Sequence, residues 1–292
     1  MSTLPLPANL VERAHTDRDP RLLAWLDTLP ALVAELSQRW GLEVGTPYQP
    51  GGETAWVAPV RDAAGDGLVL KVGWGHSESE HEAAGLRAWS DRGAVLLRSA
   101  HREGDTSALL MERCDPGTEL GRAEPEERQD EIVSAILRRL WHEPADGHPF
   151  RPLQQMCDEW ADEHEAAGPN PRLEPGLERE GLALFRSLPA DVGTQVLLAT
   201  DLHAGNILAS RREPWLVIDP KPYVGDPTYD PLQHLLNCLD RLNADPRGVT
   251  DRMAGLCGVD PERLRLWLFA RCVVESSWWP ETADVARLLA PR

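Results

Sequence analysis

Three side chains that could bind a metal ion or move a proton lie close together along the chain: Asp201, Asn206 and Asp219. Carboxylate and amide oxygens are hard ligands of the kind that Mg²⁺ takes when it neutralises nucleotide phosphates. A carboxylate can also orient an acceptor hydroxyl and take its proton. The set therefore predicts nucleotide-dependent phosphoryl transfer, with Asp201 as the catalytic base and with Asn206 and Asp219 as metal ligands.

Two short apolar runs must position these side chains. Residues 207–209 and 215–218 have β-type sequences on either side of the turn-like 211–214, so they predict a β-hairpin. Asn206 would stand where the chain enters this hairpin and Asp219 where it leaves, at the same end. Any one of the three polar residues could instead cap a turn, as Asp and Asn do routinely. Three around one hairpin favour a site.

The segment from Asp201 to Asp230, DLHAGNILASRREPWLVIDPKPYVGDPTYD, resembles the aminoglycoside 6-phosphotransferases (streptomycin kinases) and the related hydroxyurea phosphotransferases. The similarity extends to WVAPV at 56–60, LVLKV at 68–72, GLRAW at 85–89 and LLMER at 109–113. It implies an α+β, two-lobed protein-kinase-like fold, with a small antiparallel-sheet lobe that carries one helix and a larger, mainly helical lobe.

The same resemblance implies the domain organisation and the cofactors. A nucleotide-binding lobe with a preceding helix is expected over 1–114, and a catalytic and substrate-binding lobe over 115–292. The cofactors would be ATP or GTP and Mg²⁺. The acceptor would be a small hydroxylated compound, either a cationic aminoglycoside such as streptomycin or a hydroxyurea-like compound, which phosphorylation would inactivate. By default the site lies in the cleft between the lobes.

Lys71 lies in the apolar, strand-like run 68–72, where a charged side chain is costly unless it has a partner or a ligand. An ammonium there suits the α- and β-phosphates of a nucleotide, and kinase-like enzymes orient such a lysine with a glutamate from the following helix. Glu82 is the predicted glutamate, and Glu78 and Glu80 remain alternatives. A lysine that faces water from an edge strand is the competing interpretation.

Two further segments are candidates for contact with the nucleotide. The glycine pair in 50–55 separates two strand-like runs, so Gly52 and Thr54 would meet the phosphates through backbone amides. A glycine pair between strands is more often a simple hairpin turn, and only its position before Lys71 favours the phosphate role. By resemblance, the main chain of Glu112 and Cys114, at the exit of a strand-like run, would hold the adenine edge.

The same comparison assigns two more residues, His203 and Asp230. His203 lies where protein kinases place a basic residue that reaches the transferred phosphate, although it could instead order the loop through hydrogen bonds. Asp230 would anchor the catalytic loop, a structural role, and Lys221 is near enough to Asp219 to meet phosphate. Ala199 departs from the family, which has histidine there, so loop geometry is in doubt and a nucleotide-binding protein without turnover is an alternative.

Acceptor pockets of the family use acidic and aromatic side chains of the helical lobe. An aromatic face beside carboxylates could hold a guanidinium or ammonium group, but the same spacing suits ordinary core and solvated helix faces. A metal-dependent hydrolase built on Asp201, His203 and Asp219 is a weaker alternative, because it leaves Lys71 and the glycine loop unexplained. The candidate acceptor contacts are Asp158, Glu163, Glu275 and Trp278.

Bulk composition sets outer limits on function. The 292 residues suffice for two lobes, and a formal net charge of −17 argues against nucleic acid or anionic membranes as partners. The acidic balance is compatible with a cationic small molecule, although solubility explains surface carboxylates as well. Five scattered cysteines suit a reducing compartment. With no signal-like amino terminus and no apolar run of membrane length, we expect a cytoplasmic protein. We expect it to be a monomer or a weak dimer.

Periodicity predicts the remaining elements. A helix that packs on the small lobe is expected over 20–40, interrupted at Pro30. Strands are expected at 44–48, 55–60, 68–72, 94–97 and 107–111, with a helix at 78–90. Further helices are expected at 126–141, 153–167, 177–188, 231–242 and 261–279.

Overall fold

The computed structural model describes residues 4–75, 79–191 and 193–291. The chain divides into two compact units, which we call the sheet unit and the helical unit. The sheet unit comprises the residues up to Ser90 together with Ala94–Gly117. The helical unit comprises Asp91–Gly93 and the residues from Thr118 onwards.

A five-stranded antiparallel sheet forms the sheet unit, with the strand order β1-β2-β3-β5-β4. Its strands are β1 (Glu43–Val44), β2 (Ala55–Arg61), β3 (Gly67–Trp74), β4 (Leu97–Glu103) and β5 (Thr106–Glu112). Its helices are α1 (Ala8–Asp17), α2 (Pro20–Trp40) and α3 (Glu82–Ala88).

Helix α2 packs its apolar stripe against one face of this sheet. Leu29 and Val33 belong to the same buried cluster as Leu70 and Val72 of β3. Successive side chains of a strand point to opposite faces, so Lys71 points away from this cluster. The core of the sheet unit thus fixes which side of the sheet Lys71 occupies.

The predicted interruption at Pro30 is wrong, because α2 continues through it. A proline inside a helix removes one backbone hydrogen bond and costs about 3 kcal/mol. Burial of Leu26, Leu29 and Val33 in the core offsets this loss. The Asp19 carboxylate accepts a hydrogen bond from the backbone of Arg21 and caps the helix at its start.

The sheet departs from the sequence-based expectation at both edges. The strand expected at 44–48 is only Glu43–Val44, and the one expected at 94–97 begins at Leu97 and extends to Glu103. Strand β4 is a half-exposed edge strand with several charged side chains. Apolar periodicity therefore gives no signal along most of its length.

Helices make up most of the helical unit, together with two small sheets of orders β6-β10-β7 and β8-β9. The strands are β6 (Arg151–Pro152), β7 (Val196–Leu198), β8 (Ile207–Ala209), β9 (Trp215–Val217) and β10 (Tyr223–Gly225). The helices are α4 (Leu120–Ala123), α5 (Glu126–Leu140), α6 (Leu153–Ala167), α7 (Pro175–Ser187), α8 (Leu232–Leu236), α9 (Leu239–Ala244), α10 (Pro246–Cys257), α11 (Pro261–Glu275) and α12 (Thr282–Leu289).

The helices predicted at 126–141, 153–167 and 177–188 are confirmed to within two residues at each end. The helix expected over 231–242 is two helices, α8 and α9, and α11 ends at Glu275 rather than at 279. The helices α1, α4, α10 and α12 were not predicted. The fold class is confirmed: an antiparallel sheet with helices is followed by a mainly helical region.

No helix in the described parts of the chain combines the length and the apolar character of a membrane-spanning segment.

Candidate active site

The predicted hairpin is confirmed. Strand β8 pairs with β9 in antiparallel register, with Ile207 opposite Val217. At the open end the backbone N–H of Ile218 donates to the carbonyl of Asn206 at 2.9 Å. This hydrogen bond brings Asn206 beside the segment that continues into Asp219.

A buried carboxylate holds the loop that precedes Asp201. Asp230 is fully buried and accepts the backbone N–H of Thr200 at 2.7 Å and of Ala199 at 3.1 Å. It also accepts the indole N–H of Trp141 at 2.9 Å. Burial raises the pKa of Asp230 to about 6, and the three N–H donors oppose that rise. At neutral pH Asp230 is therefore an ionised acceptor that fixes the loop backbone.

The loop and the segment after the hairpin are joined side by side. Lys221 donates its backbone N–H to the carbonyl of Ala199 at 2.9 Å, and the Thr200 hydroxyl donates to the carbonyl of Lys221 at 2.6 Å. Thr200 and Asp219 both have a φ of 51°. This left-handed region is strained for a β-branched residue such as threonine. Strain of this kind persists only where the surroundings hold the backbone, as they do here.

Asp201, Asn206 and Asp219 converge in the helical unit. The side-chain amide of Asn206 donates to the carbonyl oxygen of Asp201 at 3.0 Å and lies 3.5 Å from its carboxylate. The Lys221 ammonium is 2.5 Å from Oδ1 of Asp219 and 4.0 Å from Oδ2 of Asp201. Asp201, Asn206 and Asp219 therefore form one cluster, with a lysine between the two carboxylates.

The donor set of this cluster fits magnesium. Because the amide nitrogen of Asn206 is directed at Asp201, its oxygen is oriented for another partner. Within residues 4–75, 79–191 and 193–291, no group of three or more His, Cys, Asp and Glu side chains could hold a metal ion. The Asp219 carboxylate and the Asn206 amide oxygen suit Mg²⁺, which is usually bound through one or two carboxylates and completes its shell with water and phosphate.

His203 orders its own loop. Its Nδ1 accepts the backbone N–H of Gly205 at 3.1 Å and caps the short 3₁₀ turn Ala204–Asn206. Burial, together with the nearby His234, lowers the pKa of His203. The ring is therefore neutral at neutral pH, with its proton on Nε2. The hydrogen bond favours the loop-ordering role, and Nε2–H is still a donor that a phosphate could accept.

In the sheet unit, Lys71 is paired as expected. Its ammonium donates to both carboxylate oxygens of Glu82 at 2.8 Å, and Glu82 is 1% exposed. Of the alternatives, Glu80 is 3.9 Å from the guanidinium of Arg102, and Glu78 lies outside the described residues. Strand β3 has neighbours on both sides, so the edge-strand interpretation of Lys71 is wrong.

The other nucleotide candidates lie around the same sheet. Gly52 is in the loop before β2, and the carbonyl of Thr54 accepts the backbone N–H of Trp74 at 2.9 Å. Glu112 donates its backbone N–H to Leu96 at 2.8 Å, so that donor is already engaged. Cys114 is buried just beyond the end of β5.

The candidate acceptor contacts differ in exposure. Trp278 is 52% exposed and packs edge-on against Trp160, and Glu163 and Asp158 lie on the solvent side of α6. Glu275 is 4% exposed and accepts a hydrogen bond from Arg271 at 2.8 Å. The guanidinium neutralises this carboxylate. Its position therefore favours a structural role over contact with a cationic acceptor.

Sequence reasoning missed two residues that build the site. Trp141, at the end of α5, donates to Asp230 from 89 positions away, and no local pattern reports such a contact. Thr200 links the two strained segments, and a threonine carries no sequence signal for a positive φ.

Comparison with known proteins shows sequence similarity along most of this chain. A family model described as aminoglycoside/hydroxyurea antibiotic resistance kinase matches residues 39–283. The hydroxyurea phosphotransferase of Kitasatospora aureofaciens is 37% identical over 292 residues, covering 98% of this chain and 83% of that protein. The streptomycin 6-kinase of Streptomyces griseus is 33% identical over 296 residues, covering 98% of this chain and 94% of that protein.

Solved structures agree on the fold. The amicoumacin kinase hAmiN, in complex with AMP-PNP, Ca²⁺ and Ami, superposes with a TM-score of 0.60 at 13% identity, covering 90% of this chain and 95% of that chain. Identity at this level is informative about the fold alone. The predicted kinase-like fold is thereby confirmed.

Proposed function

This chain belongs to the aminoglycoside/hydroxyurea antibiotic resistance kinase family, and we propose that it transfers the γ-phosphate of ATP to a hydroxyl of a small antibiotic-like acceptor and so inactivates it. The chain is thus a phosphotransferase, and its family uses a nucleotide donor. Its acceptor is an aminoglycoside of the streptomycin type or a hydroxyurea-like compound. The AMP-PNP bound to hAmiN supports ATP as the donor, with GTP as the alternative.

The observation that carries the proposal is the convergence of Asp201, Asn206 and Asp219 around one hairpin end. These side chains come from two segments that are joined by two hydrogen bonds, from the backbone N–H of Lys221 to Ala199 and from the Thr200 hydroxyl to the carbonyl of Lys221. Caps of unrelated turns need no such convergence. A shared cluster of hard oxygen donors beside a carboxylate base is what phosphoryl transfer requires.

Within the helical unit, Asp201 orients the acceptor hydroxyl and accepts its proton as the oxygen attacks phosphorus. Asn206 and Asp219 would hold Mg²⁺ through their side-chain oxygens. When bound, Mg²⁺ supplies neutralisation of the charge on the nucleotide phosphates. The hydrogen bond from Asn206 to Asp201 keeps the base and the metal ligand in fixed relation.

Within the sheet unit, Lys71 contacts the α- and β-phosphates as a point charge. The two hydrogen bonds to Glu82 fix the direction of its ammonium. Gly52, Thr54 and the main chain of Glu112 and Cys114 are the proposed further contacts to the nucleotide.

Two observations bear on the acceptor. The two relatives act, by their names, on hydroxyurea and on streptomycin, so both belong in any test. On the helical unit, Trp278 presents an exposed ring, and Asp158 and Glu163 supply carboxylates on α6. An aromatic face and carboxylates suit a guanidinium or ammonium group of a cationic acceptor.

The competing proposal is a protein that binds nucleotide or drug without turnover, suggested by Ala199. The hydrogen bonds from Ala199 and Thr200 to Asp230 favour the active enzyme. They hold the backbone that leads into Asp201. Ordered loop geometry therefore does not depend on a histidine at position 199.

An acceptor screen tests the proposal. The purified protein is incubated with ATP, Mg²⁺ and single acceptors, including streptomycin and hydroxyurea, and products are detected by the mass added on phosphorylation. We expect one acceptor to gain a phosphate with stoichiometric release of ADP. Thermal stabilisation by ATP and Mg²⁺ without a phosphorylated product from any acceptor would instead support the binding protein.

A further inference from the structure

We propose that Lys221 is a positioning residue for the metal site: its ammonium holds the carboxylates of Asp201 and Asp219 together until a divalent cation displaces it. This inference rests on the proposed phosphotransferase function. It extends that function by giving a part to a lysine that is neither the catalytic base nor one of the proposed metal ligands.

The backbone of Lys221 is held against the catalytic loop from both sides. Its N–H donates to Ala199 at 2.9 Å, and its carbonyl accepts the Thr200 hydroxyl at 2.6 Å. Its side chain is 14% exposed, whereas the carboxylates of Asp201 and Asp219 are 33% and 38% exposed. The lysine is therefore a built-in part of the site rather than a surface side chain that has folded over it.

The ammonium lies where two negative charges meet. It is 2.5 Å from Oδ1 of Asp219, 3.3 Å from the carbonyl of Asp219 and 4.0 Å from Oδ2 of Asp201. Two carboxylates that face one position repel each other, and a cation between them removes that repulsion. Lys221 thus supplies the charge that keeps the cluster assembled.

It is informative that residue 221 is a lysine and not an arginine. Only Lys71 and Lys221 are lysines among 30 basic residues, and every other one is arginine. A guanidinium would grip a carboxylate with two parallel hydrogen bonds and stay in place. An ammonium on a flexible stem is a compact point charge that can be exchanged for another cation. Lys71 is itself assigned to phosphate binding, so both lysines occur where a cation meets the proposed chemistry.

Competition follows from this geometry. A divalent cation held by Asp219 and Asn206 would compete with the Lys221 ammonium for the negative charge of the Asp219 carboxylate. Lys221 then loses its place between the carboxylates and is free to turn towards the transferred phosphate. Removing the ammonium should therefore strengthen divalent cation binding to the nucleotide-free protein. A purely structural ion pair predicts the reverse, because its loss would disorganise the ligands.

The test measures Mn²⁺ binding to the nucleotide-free protein by electron paramagnetic resonance. The variant Lys221→Met removes the charge and keeps the stem, Lys221→Arg keeps the charge, and Arg179→Met is a matched control on an exposed turn of α7. We expect K221M to bind Mn²⁺ roughly tenfold tighter, because a competing unit charge is gone. K221R and R179M should not exceed the wild-type affinity. Unchanged or weaker Mn²⁺ binding by K221M with a wild-type circular dichroism spectrum would overturn the proposal.

A second variant and a second readout keep the test decisive. If K221M does not fold, Lys221→Gln is measured in the same way and judged by the same criterion. Turnover with ATP is then measured separately on the screened acceptor, and we expect kcat to fall while KM for ATP changes little. If K221M binds Mn²⁺ more tightly than the wild type but the wild type phosphorylates no acceptor, the proposed function is wrong and the role of Lys221 stands. Wild-type turnover with unchanged Mn²⁺ affinity in K221M would sink only the role of Lys221.

Discussion

Two residues of the candidate site hold a backbone conformation that side chains disfavour. Among the non-glycine residues in the described ranges, only Arg18, Thr200 and Asp219 have positive φ values. Asp219 belongs to the carboxylate cluster, and Thr200 directly precedes Asp201 of the same cluster. Such strain costs on the order of 1–3 kcal/mol per residue and needs surroundings that impose it. Asp230 and Lys221 impose it here through hydrogen bonds to Thr200. Strain that is concentrated in this way supports a functional rather than an incidental cluster.

Asp230 makes the loop sensitive to pH. Protonation below a pKa of about 6 weakens its hydrogen bonds to the backbone of Ala199 and Thr200. We expect kcat to fall as the pH falls through 6, and this inflection to be absent in Asp230→Asn. A pH profile of kcat for both proteins checks it, and identical profiles would contradict it.

The raised pKa of Asp230 affects stability in the opposite direction to kcat, because it favours the folded state at low pH. The folded state raises the pKa of Asp230 above its ordinary value of 3.8, so it binds this proton more tightly than the unfolded chain does. The contribution of Asp230 to the free energy of unfolding is thus fully present below pH 3.8 and is lost as the pH rises through 6. The change amounts to about 3 kcal/mol. Urea unfolding of wild type and D230N across this range measures it.

At the scale of elements, one buried carboxylate joins four helices of the helical unit. Asp130 of α5 accepts hydrogen bonds from His234 of α8 at 3.0 Å, Arg241 of α9 at 2.8 Å and Arg252 of α10 at 3.1 Å. Burial alone would raise its pKa, but the hydrogen bonds from His234 and Arg241 hold the pKa of Asp130 well below its usual range. His234 also lies near enough to His203 to lower the pKa of that ring.

We expect Asp130→Ala to lower the free energy of unfolding by about 1–3 kcal/mol, because it leaves the buried His234 and the partly buried Arg241 without their carboxylate acceptor. The neighbouring Glu131 has a half-exposed carboxylate, so Glu131→Ala should change stability by no more than about 0.5 kcal/mol. Urea unfolding compares the two variants. Equal stabilities would show that Asp130 does not hold the helices together.

Alanine substitutions at two helical glycines should change the stability in opposite directions, and so they test the packing of the helices. A Cβ on Gly181 of α7 would come within 2.5 Å of the Val273 side chain of α11, whereas a Cβ on Gly255 of α10 would meet open space. Gly181→Ala should therefore destabilise the protein by about 1–3 kcal/mol. Gly255→Ala should stabilise it by about 0.5–1 kcal/mol through helix propensity. Thermal unfolding measures both, and equal signs would refute the packing of α7 on α11.

The sequence predicts elements whose cause is local and misses those whose cause is distant. The hairpin around Asp201, Asn206 and Asp219 and the lysine in β3 follow from apolar runs and residue type. The three-residue strands β7 and β10 are too short to carry a period, and β4 is too polar. The Asp130 junction joins residues more than 100 positions apart, so no local pattern reports it.

At the scale of the whole molecule, the net charge of −17 governs encounters with charged ligands. A protein with a large excess of carboxylates attracts a cationic acceptor over a distance set by the Debye length, which shrinks from about 30 Å at 0.01 M salt to about 8 Å at 0.15 M. A neutral acceptor feels no such attraction. The salt dependence of acceptor binding therefore distinguishes a cationic acceptor from a neutral one.

For an acceptor that carries guanidinium or ammonium groups, such as streptomycin, KM should rise several-fold over this range of salt while kcat stays nearly constant. For a neutral acceptor such as hydroxyurea, KM should not change. Steady-state kinetics in a series of NaCl concentrations, at fixed Mg²⁺ and saturating ATP, separates these outcomes. A cationic acceptor whose KM ignores salt would show that the acidic surface serves solubility only.

The central claim is that Asp201 is the base of a phosphotransferase, and acceptor-dependent ADP release by Asp201→Asn tests it most directly. The matched control is Asp91→Asn in the same unit, because the Asp91 side chain is 82% exposed. We predict that D201N loses about 10²–10⁴-fold in kcat, as expected for removal of a general base, while its affinity for ATP and Mg²⁺ and the activity of D91N stay at wild-type levels. Wild-type turnover by folded D201N would contradict the account.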